Sequence, residues 1–276
     1  RQGWRANPAT ANRRAKDLRF SFVQHTKPRS VGVAHLADCF SVRVAMNFVF
    51  PPQPSASLPV VASDQRFPIH RVYCVGRNYA DHAQEMGDTG REPPFFFTKP
   101  ADAVISAPAG QSVPLPYPSL TQDLHHEVEL VVALGSGGKN IAVADALQHV
   151  WGYAVGLDMT RRDLQAQLKK LGRPWCIAKG FDASAPMGAL TPAAQAGDVQ
   201  HAAIDLQVNG QLRQSGKTSA MIWNIAEIIA ELSCAWELQA GDLIMTGTPA
   251  GVAAVQRGDR LQAQVTGLAP LQVNVL

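Results

Sequence analysis

The segment HHEVELVVAL, residues 125–134, limits the fold more than any other stretch of the chain. Its Val- and Leu-rich run, ended by Gly-Ser-Gly-Gly, has the composition and length of a buried β-strand. Side chains alternate across a strand, so Glu127 and Glu129 share one face while Val128 and Leu130 take the other. Two carboxylates side by side on an apolar strand repel each other and lose hydration. A proton, basic partners or a cation must neutralise them. The alternative is an edge strand with solvated glutamates, but the run is too apolar on both sides to lie fully exposed. Asp158 ends a second apolar run, GYAVGLD, and brings a third acid. Three carboxylates form an all-oxygen ligand set suited to Mg²⁺, Mn²⁺ or Ca²⁺ rather than zinc. His125 falls on the face of the two glutamates. As a ligand it would tilt the site towards iron, zinc or manganese; as a neighbour it would be a hydrogen-bond partner.

Composition narrows the class. With 276 residues and 46% hydrophobic content, the chain can bury a sizeable core without disulfides. No apolar run reaches the roughly 18 residues of a transmembrane helix. Cys39, Cys74, Cys176 and Cys234 lie far apart without a C-x-x-C pair. They read as buried small hydrophobes in a reducing, cytoplasmic compartment. The net charge of +3 is uneven: residues 1–45 hold nine Lys and Arg against Asp17 and Asp38, so the remainder is mildly acidic. With no matching motif, a nucleic-acid role is set aside. Residues 1–45 lack periodicity. They read as an Arg-rich leader, a disordered tail or translation from upstream of a start at Met46, the last being favoured.

Residues 46–70, rich in Pro and Ser, predict an extended lead-in over the surface, and the catalytic domain is expected over 71–276. RVYCV and FFFT read as strands, with a helix over NYADHAQEM and a loop over GDTGREPP between them. VWGYAVGLD reads as a strand, and TRRDLQAQLKKLG as an amphipathic helix closed by Gly172. Asn209-Gly210 within IDLQVNGQLRQ marks a hairpin. MIWNIAEIIAEL reads as a helix, DLIMTGTPAG as a strand running into a tight turn, and RLQAQVTGLAPLQVNVL as two closing strands. Strands outnumber helices and do not alternate with them regularly. The expected fold class is therefore a β-rich α+β architecture with a few helices.

Two further features carry chemistry. His82 and Glu85 are three apart on the expected helix, so they share a face. A carboxylate beside an imidazole fixes its tautomer and raises its basicity, as a water-activating base requires, although such a pair also suits a solvated helix face. Lys179 in WCIAKGF is a lone cation in an apolar stretch. It either snorkels to solvent or points inward to meet a carboxylate or an enolate oxygen.

The stretches CVGRNYADHAQEMG, PFFFTKPADAVI, HHEVELVVALG, GYAVGLDMTRRDLQ, GRPWCIAKGFD, VNGQLRQ and GDLIMTGTPAGVAAVQRGD, in that order over residues 71–276, resemble the fumarylacetoacetate hydrolase family. The resemblance implies a mixed β-sandwich roll with surface helices and a lid helix, a homodimer, and a site with Mg²⁺ or Mn²⁺. It implies hydrolysis of a carbon–carbon bond in a small acylpyruvate. By motif, Glu127, Glu129 and Asp158 become metal ligands, His82 and Glu85 the water-activating dyad, and Lys179 a charge assistant. Arg77, Arg162, Gln165 and Thr248 become substrate-binding residues. An oxaloacetate decarboxylase, or a broader acylpyruvase or isomerase of the same family, shares the acidic triad. From other classes, a non-haem iron dioxygenase built on His125 and a non-catalytic cation-binding protein also remain open.

Overall fold

The computed structural model describes residues 47–79 and 91–276. The chain divides into Arg1–Pro52 and Gln53–Leu276, and the second unit carries the fold. Among the described residues, two large sheets face each other. The larger, eight-stranded sheet runs Phe95–Lys99, Val72–Gly76, Leu243–Met245, Val128–Leu134, Val150–Leu157, Ala185–Met187 and Val104–Ser106, with Thr191–Pro192 pairing off the path. The five-stranded sheet runs Gln211–Lys217, Ala203–Val208, Arg260–Val265, Leu271–Val275 and Ser112–Leu115. Most pairs are antiparallel. Leu243–Met245 runs parallel to Val72–Gly76, Ala185–Met187 to Val104–Ser106, and Leu271–Val275 to Ser112–Leu115, so both sheets are mixed.

Alternation along the strands builds two cores. Leu130 and Val132 meet Ile204, Leu206, Leu261 and Val273 from the facing sheet. Val131 and Ala133 turn to the opposite side, where Cys74 and Met245 meet Leu58, Phe67 and Ile69. Every residue of Val128–Leu134 is buried, which explains its continuous hydrophobic texture. The second core corrects the expected surface lead-in: Ser57–Pro59 and Arg66–Pro68 pair antiparallel, and their apolar side chains cover the sheet. Buried cysteines hold only for Cys74. Cys176 and Cys234 are exposed, and Cys39 lies outside the described residues.

The helices follow their end signals. Ile225, Ile228, Ile229 and Leu232, spaced along one face, bury Ile225–Ala235 against the larger core. Asn224 caps it by accepting from Glu227 N, while the Glu227 carboxylate accepts from Asn224 N, both at 3.0 Å. The expected start at Met221 is thus set four residues later, at Ile225, by this capping box. The other amphipathic helix is Arg162–Lys170, closed as expected by Gly172 at φ +61°. Thr160–Arg161, taken from sequence as its first turn, pairs instead with Leu124–His125. Asn209 and Gly210 adopt φ +52° and +76°, the left-handed pair of a tight hairpin turn.

Candidate metal centre and active site

The acidic cluster forms where a strand breaks. The continuous strand expected over 125–134 resolves into Leu124–His125, in a small three-stranded sheet, and Val128–Leu134 in the large one. Glu127 sits at the bend between them. Val150–Leu157 runs antiparallel to Val128–Leu134, with Glu129 opposite Gly156 and Val128 opposite Leu157. Asp158 therefore emerges beside Glu127, and its N–H donates to the Glu127 carbonyl at 2.9 Å. One carboxylate oxygen from each of Glu127, Glu129 and Asp158 lies within 4.8 Å of the others, and all three residues are buried.

Basic groups surround this cluster unequally. Lys179 Nζ donates to Glu127 Oε2 at 2.8 Å and to Asp158 Oδ2 at 2.6 Å. Arg162 Nη2 donates to Glu127 Oε1. Burial alone would raise the Glu127 carboxyl, but the charges and hydrogen bonds of Lys179 and Arg162 hold it well below the usual carboxylate range. Burial likewise disfavours the Lys179 ammonium, and Asp158 and Glu127 more than compensate, so its affinity for the proton rises. Glu129 differs. Burial, then repulsion from Asp158 and Glu127, pushes its carboxyl far up, and the Gly247 N–H at 2.8 Å only partly offsets this. Gly247 needs its glycine: φ is +95°, and a Cβ there would meet Asn78 Cβ at 2.7 Å.

These residues fit a hard divalent cation. Oxygens bound to one such ion at about 2.0–2.6 Å stand up to roughly 4–5 Å apart, as here. Asp158 Oδ1 is buried and lies 2.8 Å from Lys99 Nζ but outside hydrogen-bonding geometry, leaving a lone pair available. The repulsion from Asp158 and Glu127 that raises the Glu129 carboxyl would be relieved beside a cation.

A narrow cavity of about 30 Å³ opens onto the cluster. Its walls include Arg77, Glu127, Glu129, Asp158, Arg162, Gln165, Lys179 and Thr248, so widely separated motifs converge on one space. Lys179 points inward from the short helix Cys176–Lys179, which sequence reading took as an undivided apolar stretch. Arg162 Nη1 donates to Gln165 Oε1 at 2.6 Å, one turn along the helix. His82 and Glu85, with the expected lid helix, lie outside the described residues.

His125 is a hydrogen-bond partner here. Arg162 Nε donates to its Nδ1 at 3.3 Å, which places the ring proton on Nε2, 2.8 Å from Asp123 Oδ1. Its carboxylate–imidazole–guanidinium chain orients Arg162, and among the described residues it is not in the ligand cluster.

Sequence reading missed several members. Lys99, its side chain fully buried, donates to the carbonyls of Met159 and Lys179. Phe95, Phe97 and Trp175 form an aromatic wall, with edge-on ring contacts at 5.8 and 6.1 Å. The FFFTK run offered a strand signal but no indication of which rings face the site.

The fumarylacetoacetate (FAA) hydrolase C-terminal family model matches residues 71–276. The fumarylpyruvate hydrolase of Pseudomonas aeruginosa, solved in complex with Mn²⁺ and pyruvate, is 55% identical. That match covers 83% of this chain and 99% of that one, with a TM-score of 0.82. The 5-carboxymethyl-2-hydroxymuconate delta-isomerase of Mycobacterium smegmatis is 33% identical with a TM-score of 0.66, over 80% of this chain and 82% of that one. The mitochondrial oxaloacetate tautomerase FAHD1 of Rattus norvegicus is 46% identical over 204 residues, 74% of this chain and 90% of the relative. With its two-sheet β-rich fold, its clustered carboxylates and a family match over 71–276, this chain belongs to the fumarylacetoacetate hydrolase family.

Proposed function

We propose that this chain is a divalent-metal-dependent hydrolase that splits an acylpyruvate, with 3-fumarylpyruvate the favoured substrate. One water is consumed: the bond between the distal carbonyl carbon and the methylene breaks, the carbonyl carbon gains oxygen and becomes fumarate, and the methylene gains a proton to give pyruvate. The observation that carries this reading is the buried triad Glu127, Glu129 and Asp158, with oxygens within 4.8 Å, opening into a cavity with three basic side chains.

Glu127, Glu129 and Asp158 would hold Mg²⁺ or Mn²⁺, which supplies Lewis-acid polarisation of the 2-oxo acid. Arg162, braced by His125 and Gln165, and Arg77 bind the substrate carboxylate. The Lys179 ammonium, kept charged by its acidic neighbours, offsets negative charge growing on the leaving enolate oxygen. His82, oriented by Glu85, takes the proton of the attacking water. The family resemblance supports a homodimer, testable by light scattering.

The acyl group has its own support. A recess of about 360 Å³ adjoins the site, lined by Phe95, Phe96, Phe97, Trp175 and Arg173. A planar conjugated chain suits aromatic walls, and Arg173 suits a far carboxylate. A second reading, oxaloacetate tautomerisation or decarboxylation, draws on the 46% identity to the rat tautomerase. It shares enolate stabilisation, but it needs no activated water and leaves the recess empty.

The test is incubation with fumarylpyruvate, maleylpyruvate, acetylpyruvate and oxaloacetate in Mg²⁺ or Mn²⁺. Fumarylpyruvate is expected to turn over fastest, and turnover of oxaloacetate alone would remove the hydrolase reading. His82→Ala is expected to abolish diketone cleavage while calorimetric Mn²⁺ affinity stays within about threefold, since effects of a missing general base reach 10²–10⁴-fold on rate alone. A parallel loss of metal binding would show that its role is misassigned.

A further inference from the structure

Gln214 is fully buried in a strand whose neighbours Leu212, Arg213 and Ser215 are all exposed. The register explains this. Leu206 pairs with Gln214 but Gln207 with Leu212, so Arg213 is an extra residue in the ladder. Such a bulge re-aims the side chain beside it. Gln214 thereby reaches across to the acidic strand and to the turn after Met245.

Its amide orientation is dictated by two backbone groups. Gln214 Oε1 accepts from Val128 N at 3.1 Å, and Nε2 donates to the Pro249 carbonyl at 2.9 Å. A flipped amide would set donor against donor and acceptor against acceptor. With that orientation fixed, the buried ring of His126 must donate its Nδ1–H to Oε1 at 2.8 Å. The second Nε2 proton goes to Thr248 Oγ1, also at 2.8 Å. Thr248 therefore accepts from Gln214, and its own hydroxyl proton has no acceptor among the described residues. Thr248 lines the cavity.

We infer that Gln214 is a positioning residue that fixes the Thr248 hydroxyl as a hydrogen-bond donor towards the bound substrate's oxygen. Gln214 does not itself line the cavity, and it acts through Thr248. The inference deepens the acylpyruvate reading and rests on it only for the identity of the ligand.

Gln214→Glu is the informative variant. Its Oε1 keeps an acceptor for Val128 N and for His126, but its Oε2 carries at most one proton where the amide carries two; given to the Pro249 carbonyl, that proton leaves only an acceptor facing Thr248. The hydroxyl must then turn and donate to residue 214. Steady-state kinetics would use whichever acid of the four-member panel the wild type turns over fastest, alongside Mn²⁺-dependent pyruvate binding by calorimetry. If only oxaloacetate reacts, the acylpyruvate reading fails while the Gln214 comparison is still decided. Gln214→Glu and Thr248→Val are each expected to lower kcat/KM by about 10–100-fold and to weaken pyruvate binding, as for loss of one oriented donor. Mn²⁺ affinity should stay within about threefold. The double variant should be no worse than Thr248→Val alone, because both remove one hydrogen bond. Wild-type kcat/KM in Gln214→Glu, multiplicative losses in the double variant, or a loss of Mn²⁺ affinity matching the loss of activity would each overturn the inference. Should Gln214→Glu not fold by circular dichroism, Gln214→Met replaces it with the same expectations.

Discussion

Glu129 and Asp163 respond to pH in opposite senses because their surroundings differ. Glu129 is buried with two other carboxylates, and its proton is held far above the usual range. Glu129→Gln removes that repulsion but also a charged ligand. Calorimetry should show at least a tenfold loss of Mn²⁺ affinity, with a thermal midpoint in chelator equal to or above wild type. A lower midpoint would mean that Glu129 is ionised and paired in the metal-free protein. Asp163 is the reverse. Burial would raise its carboxyl, but donation from Thr121, Leu164 N and Gln122 N holds it below the usual value. Its stabilisation is therefore present above the unfolded value near pH 4 and is lost as pH falls through the folded one. Asp163→Asn should cost about 1 kcal/mol at pH 7, and urea titrations should show the gap closing as pH falls below the unfolded value. A gap independent of pH would rule out the charge as its source. At this scale the sequence showed the two glutamates and the lysine. It could not show Lys99 against Asp158, a partnership 59 positions apart that only packing creates.

Helices and strands drew their boundaries from local chemistry where a cap or turn residue was present. Asn224 with Glu227 starts one helix, Gly172 ends the other, and Asn209-Gly210 turns the hairpin. Asn224→Ala should lower stability by about 1 kcal/mol with little change in kcat, since the helix serves the core and not the cavity. A change in kcat without one in stability would tie that helix to catalysis instead. Boundaries lacking such a marker were misread. Nothing in HHEVELVV announces the break at His126–Glu127, because both halves have strand composition and the split comes from pairing with two different sheets. The Gln214 bulge is equally silent: its cause is a one-residue excess against a partner strand.

For the molecule as a whole, a centre that joins the bend, the end of a neighbouring strand and a short helix should couple metal binding to global stability. At a hundredfold excess over Kd, Mn²⁺ should add about 2.7 kcal/mol over the chelated protein, measured as a shift in the urea midpoint. No shift would mean that the ion binds native and unfolded chains alike, contrary to a site assembled by folding. The sequence by itself determined the strand-rich class, the identities of the acidic triad and the family, because alternation, composition and motif order are local properties of the chain. Only the tertiary structure decided that Lys179 turns inward, that His125 braces Arg162 and that Gln214 reaches Thr248. Each depends on which distant segments lie within hydrogen-bond reach, and that is set by sheet register and close packing, which no single segment encodes.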